Sequence, residues 1–367
     1  MKTSWLLALA VLSVSVQVQA ANLYYVAPPA QPNDYVWATG VSNDGMVVGF
    51  VGIDKYSHPI QAYRWQAGSP EMELIPRISQ TSSGSMCFGI SDDGSVLGYE
   101  EDGGGYAKLY LADPQLHAAL VTQVPTPFIG YAYGALSGDG RVVAASPNWR
   151  WDALGGVKAL PTLGTGPSDV AVITRDGGVI AGMSSYKACC WTSQGIVALA
   201  PVSGSSSSGA EAITPDGAVA VGYATNPSDN RLPMPVLWKD GLVQIAPLPD
   251  GANRADFMRI TPNGLTAFGI GSGPAGGDRG FAWDAVHGSR GIYQWAAEEY
   301  GLQLPLDNCF ITAVSENGQY LAGLATTTDN SQFEAFVIVL PEPATALILL
   351  SAWPLLGRSR VRSLRRS

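Results

Sequence analysis

Few side chains in this chain of 367 residues have the types and spacing that catalysis requires. The three histidines, His58, His117 and His287, are far apart and accompany no metal-ligand motif, so they predict neither a metal centre nor a nucleophile with its base. Neighbouring acids occur at Glu100–Asp102 and Glu298–Glu299, but a glycosidase would need two acids brought together by the fold. We therefore expect no catalytic site, metal or cofactor, and keep a carbohydrate-active enzyme as the alternative.

The four cysteines are too few and too scattered for a disulfide scaffold. The adjacent Cys189 and Cys190 could form a vicinal disulfide or a redox pair, although two small thiols buried in a strand are the favoured interpretation. Cys87 and Cys309 both precede predicted first strands and could meet through their loops.

One recurring pattern predicts the elements that would position any site. Each copy has Ser or Thr, any residue, Asp or Asn, and Gly, followed by small apolar residues that end in Gly or Ala. Asp-Gly and Asn-Gly between apolar residues are the strongest short signal for a β-hairpin, so each copy predicts a strand, a tight turn and a strand. The turn glycines of the seven copies, 37 to 54 residues apart, are Gly45, Gly94, Gly140, Gly177, Gly217, Gly264 and Gly318.

Two further strands follow most of these hairpins. The third ends on an aromatic ring, as in AYRW at Trp65 and PVLW at Trp238, and the fourth ends near Pro, as in VQIAP at Val243–Pro247. Four strands in a repeat of this length indicate one blade of a β-propeller. The predicted fold class is therefore all-β, a seven-bladed β-propeller of four-stranded repeats over residues 21–340.

The recurring side chains of the repeat have structural interpretations. Only one carboxylate recurs in each turn, whereas a calcium loop needs oxygen ligands at alternating positions. We therefore interpret the turn acids as hairpin formers, and the third-strand aromatic rings as packing between blades rather than as sugar platforms. The turn acids are Asp44, Asp93, Asp139, Asp176 and Asp216.

The seventh repeat lacks a fourth strand, because its third strand runs directly into the C-terminal tail at Leu340. The segment LYYVAP at Leu23–Pro28 matches the fourth-strand pattern. We predict that it pairs onto the last blade, which would close the ring with both chain ends and protect an open strand edge.

The connections between strands predict two unequal faces. The hairpin turns are tight, whereas the remaining connections are long and should all emerge on one face. Variable loops on a rigid scaffold usually carry binding, so we expect any ligand there. The long connections are Phe50–Gln61, Pro76–Ser85, Ser203–Gly209, Ala224–Leu232, Gly271–Gly280 and Thr326–Phe333.

Both ends of the chain have the composition of targeting segments. Residues 1–20 have Lys2, the apolar run Trp5–Leu12 and a small residue at Ala20, which is typical of a secretory signal peptide. Residues 341–367 contain an apolar stretch of 14 residues, Ala344–Gly357, which is shorter than the roughly 20 of a spanning helix. We predict a transient anchor whose arginines stay on the cytoplasmic side. The residues that flank this stretch are Pro341, Glu342, Pro343, Arg358, Arg360, Arg362, Arg365 and Arg366.

In this order of parts the tail resembles the PEP-CTERM sorting signal, a Pro-Glu-Pro triplet followed by a hydrophobic helix and an arginine-rich end. The resemblance covers about the last 27 residues. It implies processing near the triplet by an exosortase-type sorting enzyme, in a Gram-negative bacterium that produces exopolysaccharide.

The repeats are similar to the HAF family of extracellular bacterial repeats, over roughly residues 35–340. The closest stretch is FAWDAVHGSRGIYQWAAEEYGLQL at Phe281–Leu304, where we predict a short helix, Ile292–Tyr300, after the third strand of the sixth repeat. The histidine that names the family's strand motif is missing from the matching strands, so no role is carried over for it.

Charge restricts the function classes further. Without its two ends the chain has 15 Lys and Arg against 29 Asp and Glu, a net charge near −14, which argues against nucleic acid as a partner. We expect an exported cell-envelope or exopolysaccharide-associated structural or binding protein, whose partner is exopolysaccharide or another surface protein. A glycoside hydrolase or lyase on the same scaffold is the alternative.

Overall fold

The computed structural model describes residues 20–341 except 27–34, 53–60, 80–81, 83, 102–105, 126–133, 275–277 and 328–332. Residues 21–340 form one compact unit. The predicted signal peptide before Ala20 and the sorting residues Glu342, Pro343, Arg358, Arg360 and Arg362 lie outside the described residues. None of the helices in the described residues is long and apolar enough to cross a membrane.

The chain folds into seven four-stranded antiparallel sheets, which confirms the predicted propeller. Blades 1 to 3 comprise β2 (Tyr35–Val41), β3 (Met46–Gly52), β4 (Gln61–Gln66) and β5 (Glu73–Leu74); β6 (Gly84–Ile90), β7 (Val96–Glu101), β8 (Tyr106–Ala112) and β9 (Ala118–Pro125); and β10 (Gly134–Leu136), β11 (Val142–Ala145), β12 (Trp149–Asp152) and β13 (Gly156–Ala159). Blades 4 and 5 comprise β14 (Ser168–Ile173), β15 (Ile180–Ser184), β16 (Lys187–Thr192) and β17 (Gly195–Ala198); and β18 (Ser208–Ile213), β19 (Val219–Asn226), β20 (Asp229–Lys239) and β21 (Leu242–Ile245). Blade 6 comprises β22 (Arg254–Ile260), β23 (Thr266–Ser272), β24 (Asp278–Asp284) and β25 (Gly288–Gly291), and blade 7 comprises β26 (Asn308–Val314), β27 (Tyr320–Thr326), β28 (Phe333–Val339) and β1 (Asn22–Tyr25).

The ring closes through the N-terminal strand, as the sequence predicts. The first strands of successive blades contact one another around the ring, and β2 of blade 1 contacts β26, β27 and β28 of blade 7. Strand β1 pairs antiparallel with β28, so that Leu23 lies opposite Ile338, and the N–H of Val26 donates to the carbonyl of Ala335 over 2.9 Å. The predicted Pro28 end of this strand lies outside the described residues.

The turn acids act as hairpin formers. In blade 5 the hydroxyl of Thr214 donates to Oδ1 of Asp216 over 2.6 Å, and the same oxygen accepts the N–H of Ala218 over 3.0 Å. The hydroxyl of Thr214 also accepts the N–H of Val219 over 3.0 Å. Gly217 has φ +73°, a conformation that glycine adopts without steric cost. In blade 6, Asn263 makes the same contacts with Thr261 and Leu265, so the turn uses a side-chain oxygen rather than a charge.

We expect Asp216→Ala to cost about 1 kcal/mol at neutral pH and Asp216→Asn to cost less, because only alanine removes the acceptor. The hydrogen bonds from Thr214 and Ala218 hold the pKa of Asp216 below its usual value. This contribution to stability is therefore present above the usual pKa and is lost as the pH falls through the lowered one. Urea unfolding at neutral and acidic pH measures both effects, and an equal loss in the two variants would contradict this account of the turn.

A β-bulge in the first strand explains why the apolar run of the repeat ends in glycine. Six of the seven first strands have such a bulge where they pair with the second strand. The carbonyl of the first strand is thereby pressed against the second. A Cβ on Gly222 would lie 2.1 Å from the carbonyl oxygen of Gly209, and one on Gly182 would lie 2.1 Å from that of Asp169. In blade 3 the strands β10 and β11 pair without a bulge, and Ala145 occupies this position.

The third-strand tryptophans pack between blades, in agreement with their interpretation. Trp191 and Trp238 are 2% and 4% exposed. The indole N–H of Trp191 donates to the carbonyl of Pro161 over 2.7 Å, and that of Trp238 to Ala200 over 2.8 Å. Both acceptors follow the fourth strand of the preceding blade, so each ring joins its blade to the one before it.

The structure corrects two local predictions. The helix α1 spans Ile292–Tyr300 as predicted, but it follows the fourth strand β25 rather than the third, because Gly288–Gly291 pairs with β24. The segment Ala224–Leu232, predicted as a long loop, is mainly a β-hairpin in which Asn226 lies opposite Asp229.

Candidate functional site

The two faces of the propeller differ as the sequence predicts. Because the strands of each blade are antiparallel, the connections from first to second and from third to fourth strands lie on one face, which we call the turn face. The long connections lie on the opposite face, which we call the loop face.

Charged and polar side chains close the axis at the turn face. They occupy the second position of the Ser/Thr-x-Asp/Asn-Gly turns, which varies between repeats. Arg175 of blade 4 donates from Nε to Asp92 of blade 2 over 2.7 Å, and the same Nε lies 3.0 Å from Oε2 of Glu316 of blade 7. Asn43 of blade 1 donates to Asp92 and accepts the N–H of Asn317 over 2.6 Å. The contacts of Arg175 join blade 4 to blades 2 and 7, which are not its neighbours, and with those of Asn43 they form a plug across the axis.

A cavity of about 120 Å³ lies beside this plug, between blades 4, 5, 6 and 7. Its walls are mostly apolar, and its charged lining residues are Arg175, Arg259 and Glu316. The pKa of Glu316 is raised to about 7, first by burial and then by the nearby Asp92, while Arg175 opposes both. Near neutral pH the plug therefore contains a carboxyl group that is partly protonated.

Three acids from blades 4, 5 and 6 also meet at the axis. Asp169, Glu211 and Asp256 lie on the first strands β14, β18 and β22, and the charge of Glu211 interacts with both of the others. The pKa of Glu211 is raised to about 7, first by burial and then by Asp256, while Arg259 opposes the shift. The pKa of Asp169 is also raised by burial, against a hydrogen bond from Ser146. We call these three residues the axial acids.

The sequence interpretation missed the axial acids because they come from three different repeats. Asp169 and Asp256 each stand five residues before the turn Thr of their repeat, and Glu211 stands three before its own, at the bulge. An acid within a strand that is otherwise apolar was the available signal, but only the ring brings the three together.

We expect Glu211→Gln to stabilise the protein at about pH 8 by roughly 1–3 kcal/mol, and to have no effect at about pH 4. The pKa of Glu211 is raised in the folded state, so its contribution to stability is fully present below the usual pKa. That contribution is lost as the pH rises towards 7. Urea unfolding at both pH values tests this, and Glu71→Gln, at an exposed position, is the control. If the free energy of unfolding of Glu211→Gln followed the same pH dependence as that of the wild type, the carboxyl group of Glu211 would not be buried.

A groove of about 400 Å³ lies on the loop face at blade 6. It lies between the connection at Pro249–Ala252, the end of β23, the start of β24, and the junction of β25 with α1. Its exposed polar side chains are Asp250, Arg279 and Gln294. The volume is within the range of roughly 300–1,000 Å³ that is usual for small-ligand sites.

An arginine holds α1 beside this groove. Arg290, which is 7% exposed, donates to Asp284 over 2.7 Å, to Glu298 over 2.9 Å and to Glu299 over 3.0 Å. Nδ1 of His287 lies 3.1 Å from Asp284 and 4.0 Å from Glu299. The ligand atoms of Asp284, His287 and Glu299 are close enough to hold a metal ion, but Arg290 already neutralises these carboxylates, and Asp284 also accepts the N–H groups of Val286 and His287.

The structure separates the other residues that the sequence singled out. Glu100 is fully buried and accepts the N–H groups of Ile78 and Ser79, so it fixes a connection rather than facing a ligand. The side chain of Glu101, and Asp102 as a whole, lie outside the described residues.

All four cysteines are free thiols, including the adjacent Cys189 and Cys190, and Cys87 and Cys309 are not joined. Burial raises the pKa of the Cys190 and Cys309 thiols to about 11. These thiols are therefore poor nucleophiles near neutral pH.

No protein-family model matches the sequence, and no curated protein is significantly similar to it. Among solved structures the chain is similar to the β-propeller domain of the Trilobed protease from Pyrococcus furiosus, with 11% identity over 83% of this chain and 95% of that one and a TM-score of 0.54. It is also similar to the acylaminoacyl peptidase of Pyrococcus horikoshii, with 13% identity over 87% of this chain and a TM-score of 0.54, and it spans 54% of that chain.

These likenesses show the propeller fold alone, and that fold is compatible with enzymes and with proteins that are not enzymes. The Trilobed protease domain is described as having an open Velcro topology. In this chain, by contrast, β1 pairs with β28 and supplies the fourth strand of the seventh blade.

Proposed function

We propose that this protein is an exported structural and binding module of the cell envelope or exopolysaccharide matrix, and that its loop face binds polysaccharide. The groove at blade 6 is the observation that carries this proposal. Its exposed Asp250, Arg279 and Gln294 offer both acceptors and donors to sugar hydroxyl groups. Its wall at Gly251, where no atom lies within 4 Å of an added Cβ, lets a ligand approach the backbone closely.

The acidic charge of the chain and its two ends support the same proposal. The pattern of residues 1–20 supports export, and the Pro341–Pro343 triplet with its hydrophobic and arginine-rich continuation supports processing by an exosortase-type enzyme. Mass spectrometry of the protein recovered from its native bacterium tests this part. We expect an N-terminus at Ala21 and a C-terminus near the triplet, and an uncleaved chain in the cytoplasm would contradict export.

We expect Arg279→Ala and Gln294→Ala each to weaken binding of the bacterium's own exopolysaccharide by about tenfold, because each removes a donor from the groove. Isothermal titration with purified polysaccharide measures this. The matched controls are Arg141→Ala and Gln194→Ala, which remove the same side chains from exposed positions on the turn face. Equal affinities for the groove and control variants would contradict a binding site in the groove.

The axial acids favour a second candidate, a glycoside hydrolase or lyase. Such enzymes use two carboxyl groups in different protonation states, and Glu211, with a pKa raised to about 7, lies near two other acids. Release of reducing sugar from the native polysaccharide, lost in Glu211→Gln and kept in Glu71→Gln, would establish this activity. Binding without any turnover would support the binding module instead.

A further inference from the structure

Both ends of the propeller leave it side by side at the turn face. Asn22 lies opposite Val339 in the β1–β28 pair, so Ala21 and Leu340 are neighbours. The N–H of Leu340 donates to the carbonyl of Gln319 over 2.7 Å, and Gln319 belongs to the turn between the first and second strands of blade 7. The two ends of the propeller itself, Ala21 and Leu340, therefore both lie at the turn face of blade 7.

The connection from the propeller to the hydrophobic tail is short. Only Pro341, Glu342 and Pro343 separate Leu340 from the apolar stretch that begins at Ala344, which spans about 14 Å at full extension. Strand β28 carries the chain about 23 Å from the loop face to this point. A tail held in a membrane must therefore keep the turn face of blade 7 near the lipid, with the loop face farther out.

The most exposed apolar side chains of the described residues lie at the tips of turns on the same face. Leu154, Val286, Leu242 and Leu265 are 101%, 84%, 72% and 65% exposed, and the next, Val197, is 57% exposed. Leu265 ends a first-to-second connection, Leu154 and Val286 lie in third-to-fourth turns, and Leu242 is the first residue of the fourth strand β21, directly after such a turn. Apolar tips beside a charged surface are typical of proteins that rest at a membrane interface.

From these two independent observations we propose that the turn face is a membrane-contact surface, on which the propeller lies against the lipid while its tail is anchored. The proposal rests on the proposed export and anchoring. It places the groove at blade 6 on the outward side, where polysaccharide is present. The carboxylates of the turn acids accept hydrogen bonds within their own turns, which reduces the cost of bringing them close to the lipid head groups.

The experiment uses the full chain from Ala21 to Ser367, reconstituted into phosphatidylethanolamine–phosphatidylcholine vesicles. An environment-sensitive fluorophore is placed at Leu265→Cys or Val286→Cys on the turn face, or at Ser228→Cys on the loop face. Cys190, the one cysteine that is not buried, is changed to Ser in all three. We expect a blue shift of the emission on adding vesicles at positions 265 and 286, and no shift at 228.

Other outcomes would overturn the proposal in distinguishable ways. If the chain partitions into vesicles but only the probe at 228 shifts, or none does, the orientation is wrong while anchoring stands. If the turn-face probes shift without vesicles as the protein concentration rises, the apolar tips join two copies of the chain instead. If the chain does not partition at all, the anchoring part of the proposed function fails together with this inference.

A second set of variants tests the apolar tips without a label. In one variant all four apolar tips are changed to Ser, at Leu154, Leu242, Leu265 and Val286. Its full chain should be released from vesicles by a lower concentration of an ionic detergent than the wild type needs. The matched control changes Leu74, Leu120, Val157 and Val197, exposed on the outer strands, to Ser. Equal release of both variants would contradict a contact through the turn face.

Discussion

Replacing Gly222 by Ala is expected to destabilise the propeller by about 3 kcal/mol. The added Cβ would lie 2.1 Å from the carbonyl oxygen of Gly209 and 2.9 Å from the backbone nitrogen of Glu211. Both neighbours are backbone atoms of a bulged strand, so neither can move without disturbing the pairing of β18 with β19. Urea unfolding measures the loss, and the midpoint of thermal unfolding should fall by about 5 °C or more.

Two variants control for the effect of exchanging glycine and alanine where no backbone clash arises. Gly291→Ala should cost less than about 1 kcal/mol, because no atom lies within 4 Å of the added Cβ and only the preference of the α1 N-cap for glycine is lost. Ala145→Gly, at the matching position of the blade without a bulge, should cost less than about 1 kcal/mol through backbone entropy. If Gly222→Ala were as stable as Gly291→Ala, the bulge would not be the reason for the glycine of the repeat.

Replacing Val26 by Asp is expected to cost about 3–5 kcal/mol and to open the ring. Val26 is 4% exposed and packs with Val36, Trp65 and Val337, so an ionised carboxylate there would be buried without a partner. Release of β1 would also expose the edge of β28 to pairing with other chains. Thermal unfolding should show the loss of stability, and light scattering should show aggregation that increases with protein concentration.

Tyr25→Asp is the matched control, because Tyr25 is next to Val26 in the chain but its side chain is 49% exposed. It should leave both the unfolding midpoint and the scattering close to those of the wild type. Equal behaviour of the two variants would mean that the N-terminal strand contributes little to closing the ring.

The blades were predictable from the sequence because their signals are local. The pair Asp216–Gly217 specifies its own turn through contacts within five residues, and each repeat contains a turn of the same sequence pattern. The N-terminal strand was predictable for the same reason, since Leu23 and its neighbours repeat the composition of a fourth strand. The strand β25 was missed because its sequence, Gly-Ser-Arg-Gly, has none of the β-branched or aromatic residues that favour strands.

The site was less predictable because it depends on contacts between distant repeats. Arg175 and Asp92 are 83 residues apart, and nothing local in either turn indicates that they meet at the axis. The groove at blade 6 likewise combines a connection, two strands and a helix end, although the sequence did place its Gly271–Gly280 wall on the loop face. The sequence thus predicted the face that carries the groove but not the side chains that line it.

Amide hydrogen exchange, with and without oligosaccharides from the native exopolysaccharide, tests the central claim most directly. The account predicts that the ligand slows exchange at residues 249–252, 271–274 and 289–294, which surround the groove, and leaves the turn-face segments unchanged. Slower exchange at the turn face, or no change around the groove on saturation with ligand, would contradict a polysaccharide-binding loop face.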